Sequence, residues 1–192
     1  MRILMRELGD GIVLAGSLRG RKLLAKLVEV TSQEPTKPEP VFLDFAGVEV
    51  ATASFLRETV FAFRNTVRGR RSKYYPVIAN ASEVVADELA VLVAPHGDAL
   101  MLCTLDETGQ VHEPHLAGDL DPKQRVTFNL VRERGETDAA ELMREHGESE
   151  GVKQTAWNNR LVALAAMGLV VELSEGRAKR YRPLFMEGKN GD

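Results

Sequence analysis

Residues 153–160 read Lys-Gln-Thr-Ala-Trp-Asn-Asn-Arg, a cluster suited to hydrogen bonding along a polymer. Gln154, Thr155, Asn158 and Asn159 offer amides and a hydroxyl. An amide both donates and accepts, so an Asn can pair bidentately with the edge of adenine. Some twenty residues on, Arg177, Lys179 and Arg180 follow a Glu-Gly turn. Together with Lys153, Arg160 and Arg182 they face only Glu172 and Glu175 between 151 and 184. The whole chain carries a net charge of −3, so an argument for nucleic acid has to be local. A local basic face suits phosphate contact. The expected division places Gln154, Asn158 and Asn159 nearest the bases. Lys153, Arg177, Lys179 and Arg180 then face phosphates, with Thr155 and Arg160 beside them. The plainer alternative is a solvated helix face.

Other candidates for chemistry are weaker. His112-Glu-Pro-His115 and the single Cys103 could suggest a metal. Three scattered ligands lack the tight spacing of a zinc site, and no metal is expected. His96 and His146 sit near helix ends. The basic run Arg-Gly-Arg-Arg-Ser-Lys at 68–73 ends a helix, where it can complement the dipole or touch a phosphate backbone, and a solvated helix end is expected. No phosphate loop, dinucleotide fingerprint, nucleophile elbow or HExxH zinc motif is present. No catalytic residue and no cofactor are therefore assigned, and the chain is not expected to be an enzyme.

Two kinds of element must position these residues. Trp157, Leu161 and Leu164 recur at i, i+4, i+7 and mark one buried helix face over about 152–167. Asp121 is a helix N-cap with Pro122 in the first turn and Gln124 at the capping-box position. That helix runs to about Arg134, and Gly135 ends it. Thr137 is expected to cap a second helix, ended by Gly147. A hairpin closes the segment.

Before residue 119 the pattern alternates strand and helix. Arg2–Leu8 and Gly11–Ser17 read as strands joined by an Asp-Gly turn at Gly9-Asp10-Gly11. Residues 18–31 form a helix with Leu23, Leu27 and Val30 on one face. Val41–Phe45 and Pro76–Asn80 read as strands covered on both faces. Leu56, Val60, Phe63 and Val67 mark a second helix, and Val85, Leu89 and Leu92 a third. Ala99–His112 reads as two strands around a turn. The fold class is thus α/β, a sheet covered by helices, followed by a small α+β domain. The boundaries fall at 1–118 and 119–187, with a frayed tail at 188–192.

At 192 residues and 44% apolar content, the chain has enough to bury a core in each part. One cysteine permits no internal disulfide, which fits a reducing compartment. The start lacks the continuous apolar region of a signal peptide. No segment reaches the roughly 18 apolar residues of a membrane span. A cytoplasmic protein with no membrane partner is expected.

Two resemblances follow from these residues. ETDAAELMREHG, TAWNNRLVALAAMGLV and VVELSEGRAKRYRPL resemble the second helix, recognition helix and wing of a winged helix-turn-helix domain over 121–185. Such domains bind double-stranded DNA, often as homodimers on two half-sites, and some serve protein contact instead. FLDFAGVEVATASFLRETVFAF resembles the STAS fold of anti-sigma-factor antagonists, and more closely the bacterial STAS-like family, whose loop runs to Ser-Phe before the helix. Here that pair is Ser54-Phe55. In anti-sigma-factor antagonists a serine at this junction is phosphorylated by a partner kinase. Ser54 matches its place, while Thr52-Ala53 and Phe55 depart from the family's Asp-Ser and Gly. The residues themselves favour a helix cap at Ser54 or Thr52. The resemblances imply a transcriptional regulator whose STAS-like domain receives a signal through protein contact. The alternative is an adaptor docking both domains onto partners such as a histidine-kinase-like ATPase.

Overall fold

Val41, Phe42 and Leu43 in succession leave no polar face to give to water, and the strand they build lies inside a sheet. The computed structural model describes residues 1–175 and 178–186. It divides into two compact units, Met1–Asp119 and Leu120–Asp192.

The first unit contains β1 (Arg2–Leu4), α1 (Met5–Leu8), β2 (Val13–Leu14), α2 (Ser17–Val30), β3 (Glu39–Asp44), β4 (Val50–Ala51), α3 (Ala53–Leu56), α4 (Ala62–Gly69), β5 (Tyr74–Ala79), α5 (Glu83–Val93), β6 (Ala99–Leu105) and β7 (Val111–Gly118). The main sheet has the order β1-β3-β5-β6-β7. Its first four strands are parallel and β7 is antiparallel to β6. The connections that parallel strands require are supplied by α2, α3–α4 and α5. The periodic positions Leu23, Leu27, Leu56, Val60, Phe63, Val67, Val85 and Leu89 pack with Val41, Leu43, Ile78, Leu100 and Leu102 in one apolar core.

A π-helical turn, Arg57–Phe61, joins α3 to α4. There Thr59 donates its hydroxyl to the Gly20 carbonyl at 3.0 Å. A Cβ on Gly20 would stand 2.9 Å from the Phe55 carbonyl oxygen. The glycine is what allows α2 and this helix to cross so closely.

The expected hairpin at Gly9-Asp10-Gly11 does not form. After β1 the chain turns into α1, and β2 pairs in parallel with β4, Val13 opposite Val50. The reason is a side chain on the following helix. The Arg19 guanidinium on α2 donates to the carbonyls of Gly9, Asp10 and Val13, while Met5 and Leu14 are fully buried. The loop's polar groups find a side chain, so an adjacent strand is not needed to satisfy them.

The second unit contains α6 (Pro122–Arg134), α7 (Ala139–Glu150), α8 (Gln154–Met167), β8 (Val170–Glu175) and β9 (Ala178–Pro183). β8 and β9 form an antiparallel pair, and Thr137 bridges Tyr181 on β9. Phe128, Val131, Leu142, Trp157, Leu161, Leu164, Leu169 and Tyr181 are buried. The Asp121 carboxylate accepts from the N–H groups of Lys123 and Gln124. Gln124 does not complete a capping box, since its Oε1 is buried with no partner among the described residues.

Both expected ends of the second helix shift. Its cap is Asp138, which accepts from Ala140 and Glu141 N–H at 2.8 Å. Glu141 answers by accepting the Asp138 N–H at 3.3 Å, closing the box. Thr137 is instead taken into the backbone bridge with Tyr181. The helix passes Gly147 and stops at Gly151, whose φ of 63° lies in the left-handed region. Glycine inside a helix costs about 1 kcal/mol relative to alanine. Gly147 is buried, and a Cβ there would lie 2.4 Å from Met143 Sδ.

Candidate nucleic-acid interface

The helix α8 forms because Trp157, Leu161, Leu164 and Ala165 give it a continuous buried face. It ends where Gly168 adopts φ 84° and Leu169 donates to the Leu164 carbonyl at 3.0 Å, a glycine stop that satisfies the last carbonyls. The opposite face carries Thr155, Asn158, Asn159, Val162 and Ala166, all exposed, and Gln154 is exposed at the helix start. At 3.6 residues per turn, Thr155, Asn158, Asn159, Val162 and Ala166 share an arc of about 100°. Asn158 and Asn159 flank Val162 on that arc. Of the expected base-edge residues, Asn158 and Asn159 share that arc, while Gln154, in the first turn, lies outside it on the side of Leu161.

Arg160 points elsewhere. It sits about 160° around the helix from Val162. Its guanidinium lies over the Trp157 ring, 4.8 Å from the centroid. One Nη is buried with no hydrogen-bond acceptor among the described residues, as is Trp157 Nε1. Lys153, just before α8, is exposed.

Two of the hairpin cations, Arg180 and Lys179, are occupied within the unit. Arg180 pairs with Glu136, Asp138 and Glu141, and the two glutamates raise its already high pKa, the Glu136 hydrogen bond most. Glu141 is partly buried, which pushes its pKa up, but hydrogen bonds from Arg180 and Thr137 and the nearby Arg180 charge hold it below the ordinary range. Lys179 pairs with Glu172 at 2.8 Å. Arg134 extends the network to Glu145. Arg177 lies outside the described residues. Glu172 lies within the 151–184 span whose charges favour phosphate contact, but the three carboxylates around Arg180 come from before it, at 136, 138 and 141. The available signal was the cap: an Asp at the start of α7 with Glu three residues later concentrates acid beside the strand that Thr137 joins.

In the first unit, Ser54 is not the cap. Thr52 is the N-cap of α3, its hydroxyl accepting the Phe55 N–H at 3.4 Å and the Gly16 N–H at 3.2 Å. Ser54 is one residue inside the helix, half-buried, with its Oγ 3.2 Å from Thr52 Oγ1. Thr52 holds the extended backbone (φ −73°, ψ 150°) that a cap requires, whereas Ser54 is already helical. Asp44, at the end of β3, is completely buried. It accepts from Arg2 Nε at 2.6 Å, Ala46 N at 2.9 Å and Asn80 Nδ2 at 2.9 Å, which satisfies a charge too costly to bury alone.

Cys103 is buried, and burial, aided by the Asp44 charge, pushes its thiol up to about 11. His112 pairs with Asp106 at 2.9 Å, and His115 Nδ1 meets the Glu113 carbonyl at 2.8 Å. Thr108, His112 and Gln110 hold the Asp106 carboxyl far below the usual range. No group of three or more His, Cys, Asp or Glu side chains among the described residues could hold a metal ion. No described helix is long and apolar enough to cross a membrane.

No protein-family model matches the chain, and no curated protein is significantly similar to it. The molecule is a mixed α/β protein with a mostly parallel central sheet.

Proposed function

We propose that the second unit is a winged helix-turn-helix that binds double-stranded DNA. The chain is then a transcriptional regulator, and its first unit, read as STAS-like, receives a signal through protein contact. One observation carries this reading: α8 buries Trp157, Leu161 and Leu164 and exposes Thr155, Asn158 and Asn159 on the other side, with Gln154 exposed in its first turn. Amides aligned on a solvent-facing helix can reach base edges in the major groove. Lys153 supplies a cation at the entering end. The bridge from Thr137 to Tyr181 ties the hairpin beside the helices, as a wing would be held. A homodimer on two half-sites suits this role.

The direct test is titration of the full chain against a pool of random duplexes at several salt concentrations. Expected is retention that falls linearly as salt rises on a log–log scale. Lys153→Ala should weaken binding to every duplex and reduce the salt slope by about one unit. Failure of every duplex to bind at low salt overturns the proposal.

The second reading, a protein-interaction adaptor contributing no catalysis of its own, is favoured by the internal pairing of two hairpin cations. Arg180 and Lys179 already hold carboxylates. A surface with its cations so engaged attracts phosphate less strongly. Retention of a protein partner by the full chain, with no duplex binding, would support it.

A further inference from the structure

The residues of the exposed α8 arc differ from a generic DNA-contacting helix in one respect: none of them is cationic. The arc holds Thr155, Asn158, Asn159, Val162 and Ala166, with Gln154 outside it in the first turn. Arg160, the only Arg or Lys between Gln154 and Met167, is stacked on Trp157 away from the arc. The two commonest specific readers of guanine, Arg and Lys, are therefore missing from the face that would meet base edges. What remains is amide and methyl.

We infer that α8 reads A·T base pairs, with Asn158 or Asn159 on adenine and Val162 on a thymine methyl. This rests on the proposed DNA-binding role. The chemistry is complementary at each point. An Asn amide donates to adenine N7 and accepts from the adenine N6 amino group at once. Guanine presents two acceptors there, so the same amide loses one of its two bonds. Val162 is 39% exposed although apolar. It lies between the directions of Asn158 and Asn159, so its methyl groups meet the base pair next to the one an Asn contacts. Thymine alone places a methyl group in the major groove. Thr155, one helical turn before Asn159, adds a second methyl beside a hydroxyl. The carboxylate-bearing side chains that accept from cytosine are also absent from the arc. The occupant that fits is a major groove with A·T pairs under the middle of α8.

The experiment uses the full chain. Duplexes are selected from a random pool at low salt, and the selected site is then titrated in three forms. One is unmodified. One carries uracil for each contacted thymine, which deletes only the methyl group. One carries 7-deazaadenine, which deletes the N7 acceptor. The selected sites should hold A·T pairs at the protected major-groove positions. Uracil should weaken wild-type binding several-fold and leave Val162→Ala unaffected. Deaza-adenine should weaken the wild type about tenfold and have no effect on whichever of Asn158→Ala or Asn159→Ala removes its partner. All three residues are exposed, so circular dichroism should show each variant folded. Binding with G·C at the protected positions, with no base preference, or with uracil sensitivity unchanged in Val162→Ala overturns the inference and leaves DNA binding standing. Absence of binding to any duplex overturns both.

Discussion

Asparagine, threonine and arginine take their roles from what lies three or four residues away and from what lies forty away. Thr52 and Ser54 show the first case. Both hydroxyls lie at the start of the same helix, yet only Thr52 has extended backbone and accepts a free helix N–H, that of Phe55. Thr52→Ala should cost about 1 kcal/mol of stability. Ser54→Ala should cost less, since its hydroxyl touches another hydroxyl and not an orphan N–H. Denaturant unfolding of the two variants checks the order. Arg180 shows the second case: its partner Glu141 is 39 residues distant in the chain. Glu141 has its pKa lowered on folding. A lowered carboxylate stabilises the fold above the ordinary value of 4.5 and loses that contribution as pH falls through the folded value. The melting-temperature gap between wild type and Glu141→Gln should therefore be constant near neutrality and close as pH drops below 4.5. A gap that widens in acid would contradict the pairing.

At the scale of elements, α8 carries two independent jobs on opposite faces. The buried face holds the second unit together through Trp157, Leu161 and Leu164, each fully buried. Trp157→Ala should destabilise that unit by about 3–5 kcal/mol, read as an early unfolding transition by calorimetry. Asn158→Ala, on the exposed face, should leave the melting temperature within about a degree or two, because surface substitutions away from special features shift stability by under about 0.5 kcal/mol. The helix α7 ends later than its first glycine predicts. Gly147 is a small residue inside a packed helix, and Gly151 is the residue with left-handed backbone. A glycine in the sequence announces both possibilities, and only the fold separates them.

At the scale of the molecule, the two units separate between Asp119 and Leu120. Expressed separately, residues 1–119 and 120–192 should each show cooperative thermal unfolding, with helical circular dichroism in both. If either is unfolded while the full chain is native, the units do not fold independently. On the proposed function, duplex binding should remain with the second fragment alone.

Local pattern was enough for much of this architecture. The apolar spacing of Leu56, Val60, Phe63 and Val67, and of Trp157, Leu161 and Leu164, determined helices and their buried faces, because periodicity of 3.6 leaves one face to bury. Continuous apolar runs such as Val41–Leu43 marked strands inside a sheet. Asp121-Pro122 and Gly168 marked helix ends through their own backbone preferences. Local pattern failed wherever a distant residue competed for the same polar groups. Gly9-Asp10-Gly11 would suit a hairpin, but Arg19 takes its carbonyls. Thr137 would suit a cap, but Tyr181 takes its backbone. Lys179 and Arg180 would suit phosphate, but Glu172, Glu136 and Glu141 reach them first. Which groups of a chain share a hydrogen bond or a charge pair is decided by proximity in space, and proximity between distant residues belongs to the tertiary structure alone.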